Sequence, residues 1–137
     1  MNEYVNQARN FLEACNAIMK ITWIGCEINK NWNDNIRRNV YRATIKTPKG
    51  VMWVKFWDSA YNTERGIEPT EYDVIACLVT YDVGSIDDFV NEYGYEVNEW
   101  ADVKRIQNIY NAVKRQHKSL CRCFTPDQIE AMQEINL

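Results

Sequence analysis

The sequence predicts an α+β fold: an N-terminal helix, a small three-stranded antiparallel sheet and a C-terminal bundle of about four helices. Three observations predict this class. Apolar residues recur at helical spacing near the N-terminus, they alternate with polar residues between Ile21 and Trp57, and they return to helical spacing after Gly66. The length of 137 residues suits a single domain. Residues 1–60 would supply the first helix and the sheet, and residues 67–137 the other helices.

The first helix is predicted over Glu3–Met19. Its apolar side chains recur every three or four positions, with asparagines and charged residues between them, which is the pattern of an amphipathic helix. The first strand is predicted over Ile21–Ile28, where β-branched and other apolar residues alternate with polar ones. The asparagine-rich stretch Asn29–Asn35 that follows is predicted to be a loop.

The other two strands are predicted to form a hairpin. Val40–Lys46 and Val51–Trp57 are both rich in β-branched and aromatic residues, and only Thr47–Gly50 separates them. Within that connection, Pro48 presets a turn angle and Gly50 tolerates a positive one. The three strands together give an antiparallel sheet.

Two short helices are predicted from capping patterns after Gly66. Thr70 stands three residues before Asp73, which resembles a capping box at the start of a helix. Ser85 and Asp88 repeat this pattern for a second short helix, which Gly94 would end.

The last two helices are predicted from a long apolar repeat and from a capping pattern. From Trp100 to Phe124 apolar residues follow alternating steps of three and four, which predicts a long helix with an apolar seam that includes His117. This seam would serve an intramolecular core or a dimer, so both a monomer and a homodimer stay open. Thr125–Gln128 predicts the capped start of the final helix, with proline in its first turn.

Charged residues are sorted into blocks although the net charge is only −3. Lys20–Lys55 is mainly basic, Glu64–Asp102 is mainly acidic, and Val103–Pro126 contains no acid. The blocks either pack side by side and neutralise each other, or form two faces, an acidic one for a basic partner and a basic one for nucleic acid or an acidic protein. The candidate basic contacts are Arg42, Lys46, Lys49, Lys55, Lys104, Arg105, Lys114, Arg115 and Lys118. The candidate acidic contacts are Asp82, Asp87, Asp88, Glu92 and Glu96.

The third predicted strand is apolar on both faces. One face of this strand carries Trp53, Lys55 and Trp57, and the other carries three apolar residues. Both faces are therefore rich in apolar surface that would have to pack against other elements. The favoured interpretation is a central strand sandwiched between helices. In the other interpretation, Trp53 and Trp57 form an exposed platform that stacks on single-stranded nucleic acid, with cations nearby to neutralise phosphates. The same surface would also suit an aromatic anchor for a protein partner. The cations are Arg42, Lys46 and Lys49.

The sequence contains no recognisable catalytic set. Its five glycines form no phosphate-binding loop, and a catalytic triad would depend on His117, the single histidine. His117, Cys121 and Cys123 have the spacing of metal ligands, but a structural zinc site needs a fourth one. We therefore expect a protein that is not an enzyme and holds neither cofactor nor metal.

The expected compartment is the cytoplasm. No apolar run approaches the roughly 20 residues that cross a bilayer, and the N-terminal segment lacks the apolar core of a signal peptide. The five cysteines are an odd number without framework spacing, which favours reduced thiols.

Three segments give the chain a family resemblance. The chain resembles a group of small phage and prophage proteins of unknown function in the segments Phe56–Ser59, Pro69–Leu78 and Asp88–Tyr95. The resemblance implies an accessory protein that acts in the bacterial host cell, where antagonism of host defence, including anti-CRISPR activity, is a common role. It implies no catalytic residue and no particular target.

Two hypotheses follow. The leading one is a phage-type, non-enzymatic binding protein that inhibits a host protein or ribonucleoprotein, with charged faces that bind or mimic nucleic acid. The alternative is a module that binds single-stranded nucleic acid through the basic, aromatic hairpin. A membrane partner is not expected under either.

Overall fold

The structure is a computed structural model, and it describes residues 2–29, 34–79 and 100–135. The predicted helix between Ser85 and Gly94 lies outside the described residues. So do all the acidic candidate contacts, which are Asp82, Asp87, Asp88, Glu92 and Glu96.

The described elements confirm the predicted α+β class, with an N-terminal helix, an antiparallel sheet and C-terminal helices. In chain order they are α1 (Glu3–Ala14), β1 (Ile18–Ile28), β2 (Arg37–Thr47), β3 (Gly50–Trp57), α2 (Ala60–Arg65), α3 (Glu71–Val79), α4 (Trp100–Cys123) and α5 (Pro126–Ile135). The bundle is looser than predicted, because α4 makes more contact with β3 than with α3 or α5.

Helix α1 ends five residues earlier than predicted. Asn16 adopts a left-handed conformation with φ of 53°, and the N–H of Ala17 donates to the carbonyl of Leu12 at 2.8 Å. The N–H of Asn16 also donates to the carbonyl of Glu13, so the two bonds form a Schellman motif that closes the helix. Met19 therefore belongs to β1.

The sheet has the order β1-β2-β3, and both strand pairs are antiparallel. The predicted hairpin turn between Thr47 and Gly50 is confirmed. The favoured placement of the third strand was wrong: β2 is the central strand, and β3 lies at an edge with one face exposed to solvent. The reason is that α4 lies along the edge of β3 instead of across its outer face.

The core lies between the inner face of the sheet and the helices. One apolar cluster joins Ala8 of α1, Ile45 of β2, Ile75 of α3 and Phe124 at the end of α4, all of which are almost completely buried. Because α1 and the sheet share this cluster with α3, α4 and α5, the helices cover the inner face at β2 and β3, whereas Trp23 of β1 on the same face is 59% exposed. The outer face is largely exposed, except at Val40, which is buried.

Helix α2 was not predicted. Its six residues bury no side chain, so they give no apolar period for a pattern to detect. The helix is instead fixed by its ends: the Oγ of Ser59 accepts from the N–H of Asn62 at 3.0 Å, and Gly66 closes it with φ of 64°.

Helix α4 confirms most of the predicted seam. Ile106, Tyr110 and Leu120 are buried, whereas Val103 and His117, also predicted on the seam, are exposed. The partly buried residue at this turn is Gln116, one position earlier, whose amide donates to the carbonyl of Cys77 at 3.0 Å. Within residues 2–29, 34–79 and 100–135, no helix is long and apolar enough to cross a membrane.

In the described residues the predicted capping box at α5 is complete, whereas the one at α3 has only its side chain-to-cap half. The N–H of Thr70 donates to the Asp73 carboxylate at 2.7 Å. The pair at α5 is reciprocal: the N–H of Thr125 donates to Oε1 of Gln128 at 2.9 Å, and the N–H of Gln128 donates to Oγ1 of Thr125 at 3.2 Å.

The reciprocal cap makes a first prediction. We expect Thr125→Ala to lower the free energy of unfolding by about 1 kcal/mol, because it leaves the Gln128 N–H without its acceptor. Urea unfolding followed by circular dichroism measures this loss. Thr125→Ser keeps the hydroxyl and should restore most of the stability. Equal losses in the two variants would contradict a capping role.

Candidate functional site

The outer face of the sheet is exposed along three cross-strand rows. Residues paired directly across antiparallel strands project on the same side, so the register assigns each row. The rows are Ile18, Lys46 and Val51; Lys20, Thr44 and Trp53; and Thr22, Arg42 and Lys55. We call these nine residues the open face. All of them are exposed except Thr44, which is partly buried.

The open face carries positive charge only. Its four charged residues are cations, and none of the nine is an acid. Of the ion pairs between described residues, one reaches this face: Nζ of Lys55 lies 3.5 Å from Oε2 of Glu27. Both side chains of that pair are exposed, so water and salt screen it and the field of the face stays positive. The four cations are Lys20, Arg42, Lys46 and Lys55.

Trp53 stands in the row between those that hold Lys46 and Lys55, and 61% of its surface is exposed. The Arg42 guanidinium lies diagonally across the strand pair, with its Cζ 5.0 Å from the centre of the Trp53 ring. This cation–π contact steadies the indole while leaving most of it available. A large, exposed and pre-positioned aromatic ring is therefore surrounded by cations.

The predicted platform of two tryptophans is only half present. Trp57 is partly buried, and it lies opposite Val40, which is completely buried. Nζ of Lys55 lies 5.1 Å from the centre of the Trp57 ring and links it to the open face. Lys49 is exposed in the hairpin turn, next to the row that ends at Val51. Trp53 is thus the aromatic contact of the open face.

A groove of about 850 Å³ runs beside the open face, between β3 and α4. Trp53, Lys55 and Trp57 line it on the strand side. The guanidinium of Arg122 donates to the carbonyl of Val51 at 3.0 Å and so ties the end of α4 to the beginning of β3. The helix side contributes Ile109, Ala112, Val113, Arg115, Gln116, Ser119 and Arg122.

Of the basic candidate contacts on α4, the structure places one at the groove and the others elsewhere. Arg115 lines the groove, whereas the others line neither the groove nor the open face. Nζ of Lys114 instead lies 5.5 Å from the ring of Tyr110, on the same helix. The remaining three are Lys104 and Lys118, which are exposed, and Arg105, which is partly buried.

Two cations of the site were not among the candidates. Lys20 was assigned to no strand, because the predicted first strand began at Ile21. Lys20 and Thr22 are polar and stand on either side of apolar Ile21, and this alternation is the signal that would have included Lys20 in the strand. Arg122 reaches β3 from a position 71 residues further along the chain than its partner Val51, and no local pattern contains that contact.

The charge blocks do not pair with each other among the described residues. Arg9 pairs with Glu71 at 3.0 Å, which joins α1 to α3. The other ion pairs of the described residues connect groups within one block, and they leave the open face without acidic neighbours apart from Glu27.

The predicted metal-ligand spacing is only partly realised. Nε2 of His117 and Sγ of Cys121 lie 3.5 Å apart on the exposed side of α4, while Cys123 is buried in the core. In the described ranges, no group of three or more histidine, cysteine, aspartate or glutamate side chains is arranged around a common point.

The thiols differ strongly in environment. Burial, together with the nearby carboxylates of Asp73 and Asp58, raises the pKa of Cys77 to about 11, whereas Cys121 is exposed. We therefore expect iodoacetamide at pH 8 to modify Cys121 well before Cys77, because only about a thousandth of the Cys77 thiols would be ionised. Mass spectrometry of timed digests measures the two rates. The preference should disappear in urea, and equal rates in the folded protein would contradict it.

No protein-family model matches the chain, and no match is found among the curated proteins or the solved structures.

Proposed function

We propose that the protein binds single-stranded nucleic acid on its open face. The observation that carries this proposal is Trp53, which is 61% exposed in a surface that contains four cations and no acid. Proteins that bind single strands combine these two features: aromatic rings stack on bases, and a positively charged surface follows the phosphates.

The size of the open face limits how much nucleic acid it holds. Rows on one face of a strand are about 7 Å apart and neighbouring strands about 5 Å apart, so the face covers roughly 14 by 10 Å. That area holds about two or three nucleotides, one of which stacks on Trp53.

The open face favours a single strand over a duplex. A base must leave its stack to reach the indole of Trp53, which an unpaired strand allows at little cost. Stacking and phosphate contacts are largely independent of base identity, so we expect weak sequence preference.

The leading sequence hypothesis, a phage-type inhibitor of a host protein or ribonucleoprotein, stays a prediction. Its acidic contacts lie outside the described residues, and so does part of the resemblance, Asp88–Tyr95. The two hypotheses meet in one case, since a ribonucleoprotein target would offer RNA to the open face.

The test uses tryptophan fluorescence. We expect an unlabelled single-stranded thymidine oligonucleotide to quench Trp53, with an affinity that falls with salt at a log–log slope of about −3, from four phosphate contacts. Trp53→Ala should weaken binding about 5- to 150-fold, because stacking contributes roughly 1–3 kcal/mol per base.

Trp23 provides a matched control. It is exposed to 59%, almost as much as Trp53, but its indole N–H donates to Oδ1 of Asn39 at 3.1 Å and it lies outside the open face. Trp23→Ala should leave both affinity and quenching nearly unchanged. Equal effects of the two variants, or no binding at micromolar concentration in low salt, would contradict the proposal.

A further inference from the structure

The outer backbone edge of β3 has no hydrogen bond from another described residue at Trp53 and Lys55. The N–H of Asp58 donates to the carbonyl of Asn39 at 2.9 Å, which makes these two residues a hydrogen-bonded pair of the ladder. Because such pairs alternate along antiparallel strands, Gly50, Met52, Val54 and Phe56 bond to β2, and the residues between them direct their N–H and C=O groups away from it.

The contact of Arg122 supports this assignment. Its guanidinium reaches the carbonyl of Val51 from the side of α4, where an outward-directed carbonyl must lie. Further along the strand, no hydrogen bond from another described residue reaches the outward N–H and C=O groups of Trp53 and Lys55. Two residues of β3 therefore offer four backbone groups to the groove.

An unpaired edge is a binding feature when it adjoins a groove. Natural proteins usually cover or interrupt such edges, since exposed N–H and C=O groups pair readily with another strand. Here α4 lies alongside β3 at a distance that leaves about 850 Å³ open, a volume within the range of ligand-binding clefts. An edge strand facing a helix across a groove is the arrangement that binds extended peptides by strand addition.

The charges of the groove indicate the chemistry of the peptide. Among the described residues that line it, the charged ones are all cations, namely Lys55, Arg115 and Arg122. Ile109 and Val113 supply apolar surface on α4. Side chains of an extended peptide alternate in direction, so a sequence that alternates acidic and apolar residues places carboxylates near the cations and apolar groups against α4.

We propose that the groove between β3 and α4 binds an extended acidic peptide of another protein, which pairs with Trp53 and Lys55 as a fourth strand. A second copy of the chain fits less well, since two antiparallel β3 edges would bring like-charged Lys55 side chains together. Nucleic acid fits less well too, because it has no regular row of amides to pair with this edge.

This inference does not depend on the proposed nucleic-acid function, although the two surfaces share Val51, Trp53 and Lys55. Ala112, Arg115 and Ser119 belong to the groove alone, whereas Arg42 and Lys46 belong to the open face alone. Variants of the unshared residues therefore separate the two activities.

The probe is a fluorescein-labelled peptide of about eight residues in which glutamate and valine alternate, a common strand length. We expect fluorescence anisotropy to show saturable binding that weakens about tenfold or more when alternate peptide nitrogens are methylated, because methylation removes the paired amides. A peptide with lysine in place of glutamate should bind at least about tenfold more weakly.

Two pairs of variants locate the site. Ala112→Trp fills the groove and should weaken peptide binding about tenfold, whereas Asn111→Trp, exposed on the same helix outside the groove, should not. Arg115→Glu should weaken it by a similar factor and Lys118→Glu should not. Oligonucleotide binding, measured in parallel, should survive Ala112→Trp.

The opposite results overturn the inference. Absence of peptide binding, equal binding of the methylated peptide, or insensitivity to Ala112→Trp would each reject strand addition in the groove, whatever the oligonucleotide does. Self-association detected by light scattering and abolished by Ala112→Trp would assign the groove to a second copy instead.

Discussion

Replacing Arg42 and Lys46 together by glutamate is expected to reduce the affinity for a single-stranded oligonucleotide about 100-fold at low salt. Both side chains are exposed on the central strand of the open face, where they flank Thr44 and lie on either side of the Trp53 row. Reversal removes two phosphate contacts and puts two carboxylates next to the bound strand, so the log–log salt slope should also become shallower by about 1.4, or 0.7 per lost contact.

The control for this prediction keeps the total charge. The double variant Lys104→Glu with Lys118→Glu makes the same change in net charge, from −3 to −7, since each reversal subtracts two. Both positions are exposed on α4 and lie outside the open face and the groove. Titration by fluorescence anisotropy at several salt concentrations compares the two double variants. A loss of equal size in both would mean that net charge, and not the open face, controls binding.

Phe124→Ala is expected to lower the free energy of unfolding by about 3–5 kcal/mol. Phe124 is only 1% exposed, and its ring lies 6.2 Å from that of Phe11, in the junction between α1, α4 and α5. Truncation would leave a cavity where three helices meet and where the neighbouring carbonyl of Cys123 accepts from Oγ1 of Thr47 at 2.9 Å. Since small domains are stable by only about 5–15 kcal/mol, the loss is a large fraction of the total.

Urea unfolding followed by tryptophan fluorescence measures this loss. Phe124→Leu fills most of the cavity and should cost about 1–2 kcal/mol, and Trp53→Ala, at an exposed position, should cost less than about 1 kcal/mol. A change below about 1 kcal/mol for Phe124→Ala would show that the junction contributes little to stability.

Local chemistry predicted the elements whose limits are set by neighbouring residues. Pro48 and Gly50 mark the hairpin turn, and Thr70 and Thr125 begin their helices as expected. The end of α1 depended on a left-handed asparagine, Asn16, which sequence does not distinguish from a helical one, because helical spacing continues through Ile18 and Met19 by coincidence.

The site was predicted less completely than the fold. Trp53, Arg42, Lys46 and Lys55 were found because they lie on one hairpin, whose alternation assigns them to a face. Whether that face is covered depends on where α4 packs, and α4 is separated from the hairpin by more than 40 residues. The apolar character of β3 suggested burial on both sides, but tertiary packing left its outer face open.

The contact between Arg122 and Val51 also bears on aggregation. Exposed sheet edges template the growth of fibrils, in which every backbone group must pair with the next chain. By occupying the Val51 carbonyl, the guanidinium limits the free edge at this end, and the charge of Lys55 further along discourages stacking of identical copies. The proposed addition of one short strand of complementary charge is compatible with both features, whereas the repeated addition of identical copies is opposed by them.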